Sequence, residues 1–346
     1  MKSLSVIIPM YNVEAYVERC IRSLENQDIP GDDYEIICIN DGSPDDSRGV
    51  IKRLQNEYDN IILIDQENQG VSRARNHGID MATGKYLVFI DPDDYVDENT
   101  FSSILQNARE KQAQVSILGF SFLYQDGSLR KRILNEKYTS EVYVGTRTYF
   151  IIRSDGYTDP DRMVAVLFER DFINRNKLRY LPDVPYLEDG EFIARILCLA
   201  ERCIFDRSSF YQRTTRPGSA TNSELFRSDK AINGFLKAAE HLRMFKEEQS
   251  LSEKQNIFLN QPIFKFVLLT LNSALQKPYL KNYRSIRKKL FRSNFRKIEL
   301  QGVVKPYTRW ARIYNNFHAA FLLNAYIMEI AGGIRSSIGN LKTSLN

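Results

Sequence analysis

The stretch KYLVFIDPDDYVD, Lys85 to Asp97, decides how the chain is read. Tyr86 to Ile90 is an apolar run of strand-forming residues, and Asp91, Pro92, Asp93 and Asp94 stop it. A run of this kind reads as a strand buried on both faces, as in a parallel sheet. Three carboxylates at its end repel one another unless a cation sits among them. The Asp-x-Asp spacing of Asp91 and Asp93 offers hard oxygens suited to Mg²⁺ or Mn²⁺, ions that take their remaining ligands from water and substrate phosphates. The same residues also suit a plain acidic turn, with Asp94 or Asp97 capping a helix over Thr100 to Ala108.

What lies upstream gives the turn its setting. Leu4 to Ile8 is a β-branched strand that Pro9 ends, and Tyr11 and Asn12 form the loop before a helix with Val13, Tyr16, Cys20 and Leu24 on one face. Tyr34 to Ile39 makes a second strand, breaking into Asn40, Asp41, Gly42, Ser43, Pro44 and Asp45, where Asp45 or Ser47 can cap the helix through Val50, Ile51 and Leu54. Ile61 to Ile64 is a third strand, and Gly70 leads into the helical VSRARNHGIDMA, which Gly84 stops. Four strands alternating with helices predict a mostly parallel sheet with helices on both faces. In such sheets ligands bind beyond the carboxyl ends of the strands, so Tyr11, Asp41 and the acidic turn converge on one crevice. An aromatic face to stack on a base, a carboxylate to accept a base N–H, an arginine from Arg73 or Arg75 and a metal-binding turn are the parts a nucleoside diphosphate needs. Each taken singly has a plainer role: Tyr11 as cover for the sheet edge, Asp41 bonded to its own turn, the arginines solvated on their helix.

The segments SVIIPMYNVEAYVERCIRSL, EIICINDGSPDDS and NQGVSRARNHGIDMATGKYLVFIDPDDY together resemble the family 2 glycosyltransferases, inverting enzymes with the GT-A fold. The resemblance covers roughly residues 1–225, divided into nucleotide-sugar binding over 1–100 and an acceptor side over 101–225. It implies donor contacts from Pro9, Tyr11, Asp41, Arg75 and Asp91, with Asp91 and Asp93 at the metal, Mn²⁺ or Mg²⁺. Asn40 stands where many members carry a first Asp. LEDGEF, Leu187 to Phe192, matches the family's ED motif opening a helix, with Phe192, Ile196 and Leu199 toward the core. By that pattern Asp189 is the base that takes a proton from the acceptor hydroxyl during inverting transfer. Glu188 and Glu191 are the neighbouring carboxylates that compete for the role. FYQRTTRPGSAT resembles the stretch that closes the donor site, so Tyr211, Arg213 and Arg216 are candidate diphosphate or acceptor contacts, as is Glu188 of the ED motif; the composition of the stretch equally suits a connecting loop. The implied function is transfer of a sugar from a nucleotide donor, UDP-linked by expectation, to a hydroxyl of a glycan or lipid-linked acceptor of a surface polysaccharide. A nucleotidyltransferase would carry a Gly-rich, basic phosphate loop after the first strand, and PMYNVEAY is not one. A non-catalytic nucleotide-sugar binder has no need of both acidic motifs.

Between these motifs, Val115 to Phe122 reads as a strand followed by the hairpin-like YQDGSLRKR, and Ala165 to Phe168 as another strand; residues 135–162 carry the weakest pattern. From about Phe226 to the end the pattern is helical, over Asp229 to Phe245 and Gln261 to Leu275, then a basic stretch with Ile286, Leu290 and Ile298 among Arg284, Arg287, Lys288, Lys289, Arg292, Arg296 and Lys297. WARIYNNFHAAFLLNAYIMEIAGGI continues as an apolar helix that Asn324 and Glu329 make a poor membrane span. A basic amphipathic helix can lie on an anionic membrane, pack as a solvated face, or bind nucleic acid. Membrane contact is the expectation and nucleic acid is not.

The 346 residues allow one large domain or two smaller ones, and the net charge of +5 is modest. Cys20, Cys38, Cys198 and Cys203 lack metal or redox spacing and read as buried thiols of a reducing compartment. His77, His241 and His318 are too scattered for a zinc site. The first residues form too short an apolar run for a signal peptide, and no stretch of about 20 apolar residues occurs. The expected location is the cytoplasm, at the inner face of the membrane.

Overall fold

The computed structural model describes residues 1–124, 127–133, 136–139, 141–154, 164–214, 228–272, 279–316, 319, 320, 323 and 327. The chain divides into two compact units, Met1–Ala220 and Thr221–Asn346. The boundary expected near residue 225 lies outside the described residues, as do Arg216 and most of the apolar stretch after Asn316.

The first unit opens with β1 (Leu4–Met10), α1 (Glu14–Glu25), β2 (Tyr34–Asp41), α2 (Ser47–Leu54), β3 (Ile61–Gln66), α3 (Val71–Met81) and β4 (Tyr86–Phe89). These four strands are parallel in the order β3-β2-β1-β4. There follow β5 (Tyr95–Val96), α4 (Phe101–Glu110), β6 (Val115–Leu123), β7 (Leu129–Ile133), α5 (Gly145–Ser154), β8 (Val166–Glu169), α6 (Arg170–Arg175), α7 (Glu188–Leu199) and β9 (Cys203–Arg213). β8 lies antiparallel between β4 and β6, β6 and β9 are parallel, and β7 pairs with the far half of β6. Two reversals therefore return β6 and β9 to the direction of β4, and their carboxyl ends point the same way as the acidic turn.

β1 and β2 are buried along their whole length, as their continuous apolar runs require. Both run further than expected. Pro9 sits inside β1, beside Ile39 of β2. Because Ile7 accepts from Ile90 on the β4 side, alternation turns Pro9 to that same side, where β4 has already ended. No N–H is needed there. Asn40 and Asp41 likewise belong to β2, extended by pairing with Asp65 and Gln66. Gly84 does more than stop a helix: a Cβ there would lie 2.5 Å from backbone atoms of Leu4 and Ser5. That close approach lets the Gly84 N–H donate to Ser5, whose hydroxyl donates at 2.6 Å to the buried Glu35 carboxylate. α4 is preceded by Thr100 as N-cap residue, not by Asp94 or Asp97. α5 occupies the region where the sequence pattern is weakest. The four cysteines are free and buried, and burial pushes the Cys203 thiol up to about 12.

The second unit contains α8 (Asp229–Glu248), α9 (Glu253–Asn272, with Pro262 inside), α10 (Tyr279–Arg292) and α11 (Tyr307–Asn316). Tyr283, Ile286 and Leu290 of α10 are buried within it, whereas Lys281, Arg284, Lys288 and Arg292 are exposed. These apolar residues of the basic stretch are thus covered by protein. Among the described residues no helix is long and apolar enough to cross a membrane.

Candidate active site

Loops at the carboxyl ends of β1 and β2 form one wall. Asn12 takes a left-handed φ of 55°, tolerable for asparagine, and leaves the preceding Tyr11 51% exposed. The two loops are stitched together: Asn12 N–H donates to Ser43 Oγ, Val13 N–H to Ser47 Oγ, Glu14 N–H to Asp45 Oδ2 at 2.8 Å, and Asp46 N–H back to Glu14 Oε2 at 3.0 Å. Asp41 is almost fully buried. It accepts from Gln66 Nε2, Gln69 N–H and Gly70 N–H, each at 2.8 Å. It therefore ties β2 to the loop that opens α3 rather than to its own turn. A carboxylate has about four acceptor positions, so one is left.

At the end of β4 the acidic turn closes with Asp94 N–H donating to the Asp91 carbonyl. Its first and last carboxylates diverge, Asp91 toward Arg75 and Asp94 away from it. Asp94 points inward and accepts from the Tyr211 hydroxyl at 2.7 Å and from Thr214 N–H at 2.7 Å. Burial, with Asp91 and Asp93 nearby, raises it to about 8. Tyr211 is fully buried, and its hydroxyl also accepts from Asp91 N–H at 3.1 Å. The Tyr211 hydroxyl, expected at the diphosphate or acceptor, is thus engaged beneath the turn, between Asp94 and the Asp91 N–H. The Asp93 carbonyl is held by Arg19 and by the Thr214 hydroxyl, each at 2.7 Å. Pro9, inside β1, is buried.

Arg75, on α3, connects this turn to the ED segment. Its Nη2 donates to Asp91 Oδ1 at 3.0 Å, and Nη1 donates to Glu188 Oε1 at 2.8 Å and Asp189 Oδ1 at 3.0 Å. The arginine side chain is 6% exposed, while Asp91 retains 37% and Asp189 23%. Carboxylates from the turn after β4 and from α7 thus share one guanidinium, Asp189 lying 114 positions beyond Arg75. The Tyr180 ring lies under it, 5.1 Å from Cζ, stacked at 4.0 Å on Phe192 of α7. Asn76, the next residue of α3, clamps the Tyr180 backbone with one bond in each direction. Sequence reasoning missed this pair; the only signal was an amide beside the arginine in RARN. Arg75 Nε is buried without a hydrogen-bond partner among the described residues. Beside the guanidinium, Asp91, Asp189, Tyr180, Tyr211 and Ile193 enclose a cavity of about 20 Å³, room for one water.

Leu187, just before α7, adopts φ 57°, ψ 29°. For a leucine this backbone is strained by on the order of 1 kcal/mol or more, and it aims the first turn of α7, with Glu188 and Asp189, at Arg75. Burial pushes Asp189 up to about 7, with Glu188 and Asp91 adding to the rise while Arg75 and Arg213 oppose it. A carboxyl poised there exchanges protons readily at neutral pH. Glu191 faces the other way: it is fully buried in an ion pair with Arg195 at 2.6 Å, which removes it as a competing base. Phe192 and Ile196 are in the core as expected, and so is every residue from Gly190 to Cys198.

Comparison with known proteins places the chain among relatives. The chain is 39% identical over 137 residues to the minor teichoic acid biosynthesis protein GgaB of Bacillus subtilis, covering 39% of this chain and 15% of GgaB. It is 42% identical over 222 residues to the uncharacterized glycosyltransferase YibD of Escherichia coli, covering 60% of each. It thus spans less than two thirds of either relative. Among solved structures, S. aureus TarS 1-349 in complex with UDP-GlcNAc superposes with a TM-score of 0.70 over 95% of this chain and 92% of that one, at 18% identity, a likeness of fold. Residues 5–175 match the family model described as Glycosyl transferase family 2; the chain has the GT-A fold and belongs to glycosyl transferase family 2.

Proposed function

We propose that the protein is an inverting glycosyltransferase that moves a sugar from a nucleotide donor, UDP-linked, to a hydroxyl of a glycan or lipid-linked acceptor in surface polysaccharide synthesis. The observation that carries this reading is the sharing of Arg75 between Asp91 and Asp189. A candidate base and the donor turn thereby face one small volume. Tyr11 stacks on the base of the nucleotide, and the remaining acceptor position of Asp41 takes a base N–H. Asp189 removes the proton from the acceptor hydroxyl as it attacks the anomeric carbon, opposite the departing diphosphate. Arg75 keeps that carboxylate oriented and offsets part of its burial. The UDP-GlcNAc complex of the fold neighbour and the teichoic acid relative support the choice of donor and acceptor class. The test is transfer from UDP-sugars: Asp189→Asn should bind UDP in calorimetry yet lose transfer, and unchanged turnover would remove Asp189 from the mechanism.

A divalent cation, Mn²⁺ or Mg²⁺, fits the turn in a limited way. Asp94 is withdrawn, and among the described residues no group of three or more His, Cys, Asp or Glu side chains is placed to hold a metal. Asp91, partly exposed, and Asp93 remain as hard oxygen donors, enough for an ion that keeps several waters and uses substrate phosphates. Bound there, it would neutralise charge on the leaving diphosphate.

The second unit supports contact with an anionic membrane surface by charge alone. No acidic residue occurs from Lys254 to Ile298, and Lys281, Arg284, Lys288 and Arg292 follow one another at i, i+3, i+7 and i+11 on a single helix face. Each cation near an anionic surface contributes about 1 kcal/mol.

A further inference from the structure

β6 is paired by β7 on one edge and by β9 on the other, and the registers place Lys131, Phe122 and Arg213 side by side. Directly paired residues of neighbouring strands put their side chains on the same face. Arg213 confirms it, with its guanidinium 5.7 Å from the centre of the Phe122 ring. One pleat below, the same three strands present Ile133, Phe120 and Tyr211, all buried. One pleat up, the face changes character: Lys131 is exposed, and Phe122 and Arg213 are half-buried. The Lys131 and Arg213 backbones are two strand spacings, roughly 10 Å, apart, with Phe122 on the strand between them.

The row lies at the end of β9 that carries the acidic turn. Thr214, next to Arg213, holds Asp94 and the Asp93 carbonyl, and Arg213 is among the cations that draw the Asp189 carboxyl down. Charges on an edge strand commonly serve to block pairing with another sheet, and Arg130, Lys131 and Arg132 on β7 meet that need. Arg213 does not: β9 lies inside the sheet, between β6 and β5. Edge protection also gives no reason for an aromatic between the cations.

We infer that Lys131, Phe122 and Arg213 form a subsite for an anionic acceptor, one whose phosphate or carboxylate lies beside a sugar or polyol unit. The inference rests on the glycosyl-transfer reading for the word acceptor, and on strand register for the site itself. The ring of Phe122 receives the apolar face of the sugar or polyol, and the flanking cations receive the anion. Arg213, at the end of β9 next to Thr214, lies toward the acidic turn, whereas Lys131, two strands away, marks the acceptor arm.

The experiment is an NMR titration of the full-length protein, saturated with UDP and Mg²⁺, with two pairs of small molecules: glycerol 3-phosphate against glycerol, and glucuronate against glucose. At least one anion should bind fivefold or more tightly than its neutral twin. Lys131→Gln, at an exposed position, should bring that ratio near one and leave the Kd for UDP within twofold. Equal binding of anion and neutral twin by the wild-type protein overturns the subsite, as does a preference that survives Lys131→Gln. So does displacement of the anion by UDP, which would place it at the donor. Lys131-dependent anion selectivity in a protein that fails to bind UDP would leave the subsite standing and remove the glycosyl-transfer reading.

Discussion

Arg75 Nη1 donates to Asp189 Oδ1 at 3.0 Å while Nη2 of the same guanidinium donates to Asp91 Oδ1 at 3.0 Å. Removing one cation from three carboxylates in a mostly buried setting leaves them uncompensated, at a cost of about 3 kcal/mol. Arg75→Met should therefore lower Tm by several degrees, and it should move the rising limb of the rate to higher pH, because Arg75 is the first force holding the Asp189 carboxyl down. Arg75→Lys keeps the charge and loses the fork, so stability should recover more than turnover. An unshifted pH profile in Arg75→Met would separate the arginine from Asp189.

The pH dependence of the wild-type enzyme has a definite sign. As the proposed base, Asp189 would act only when ionised, and burial raises it to about 7. Turnover should rise with pH through that value. Asp189→Asn should lose about 10²–10⁴-fold in kcat, the usual contribution of a general base, and its residual rate should be flat across the same range. The same raised carboxyl binds a proton more tightly folded than unfolded. Its contribution to stability is thus full below the ordinary aspartate range and lost as pH rises through about 7. Thermal melts of wild type and Asp189→Asn should accordingly diverge toward alkaline pH, the variant being the less affected.

Tyr211→Phe deletes one hydroxyl that serves two backbone-distant groups, Asp94 and the Asp91 N–H. The ring is retained, so packing is little changed, and the loss should be about 1–3 kcal/mol from unsatisfied partners. Denaturant midpoints measure it. UDP affinity should fall with it, since the turn carrying Asp91 is what the hydroxyl holds.

Membrane contact by charge alone has a clean signature. Full-length protein should float with vesicles containing anionic lipid and not with neutral ones, and binding should vanish as salt rises because the attraction is screened. Replacing Lys281, Arg284, Lys288 and Arg292 with Gln should abolish flotation without loss of helicity, as all four are exposed. Salt-resistant binding would point to inserted apolar residues instead.

The alternation of strands and helices to Phe89, the acidic turn and the ED helix were all legible, because each rests on local periodicity or on a motif. What was not legible depends on contacts far apart in sequence. Nothing around Asp94 says that it points inward, since its partners Tyr211 and Thr214 lie about 120 residues later. Pro9 looked like a strand end because the early end of β4, which spares it a partner, cannot be read locally. The antiparallel insertion of β8 has the same apolar run a parallel strand would have. For the basic helix the apolar spacing was legible, but periodicity does not say what covers that face, and Tyr283, Ile286 and Leu290 are buried.

The reciprocal bonds between Glu14 and the Asp45–Asp46 backbone and side chains join two loops on successive strands. The wall that carries Tyr11 is consequently braced by both loops at once, and α1, which follows it, reaches the acidic turn through the Arg19 bond to the Asp93 carbonyl. If a nucleobase stacks on Tyr11 as proposed, changing which base is accepted would require coordinated substitution in both loops rather than the exchange of one side chain.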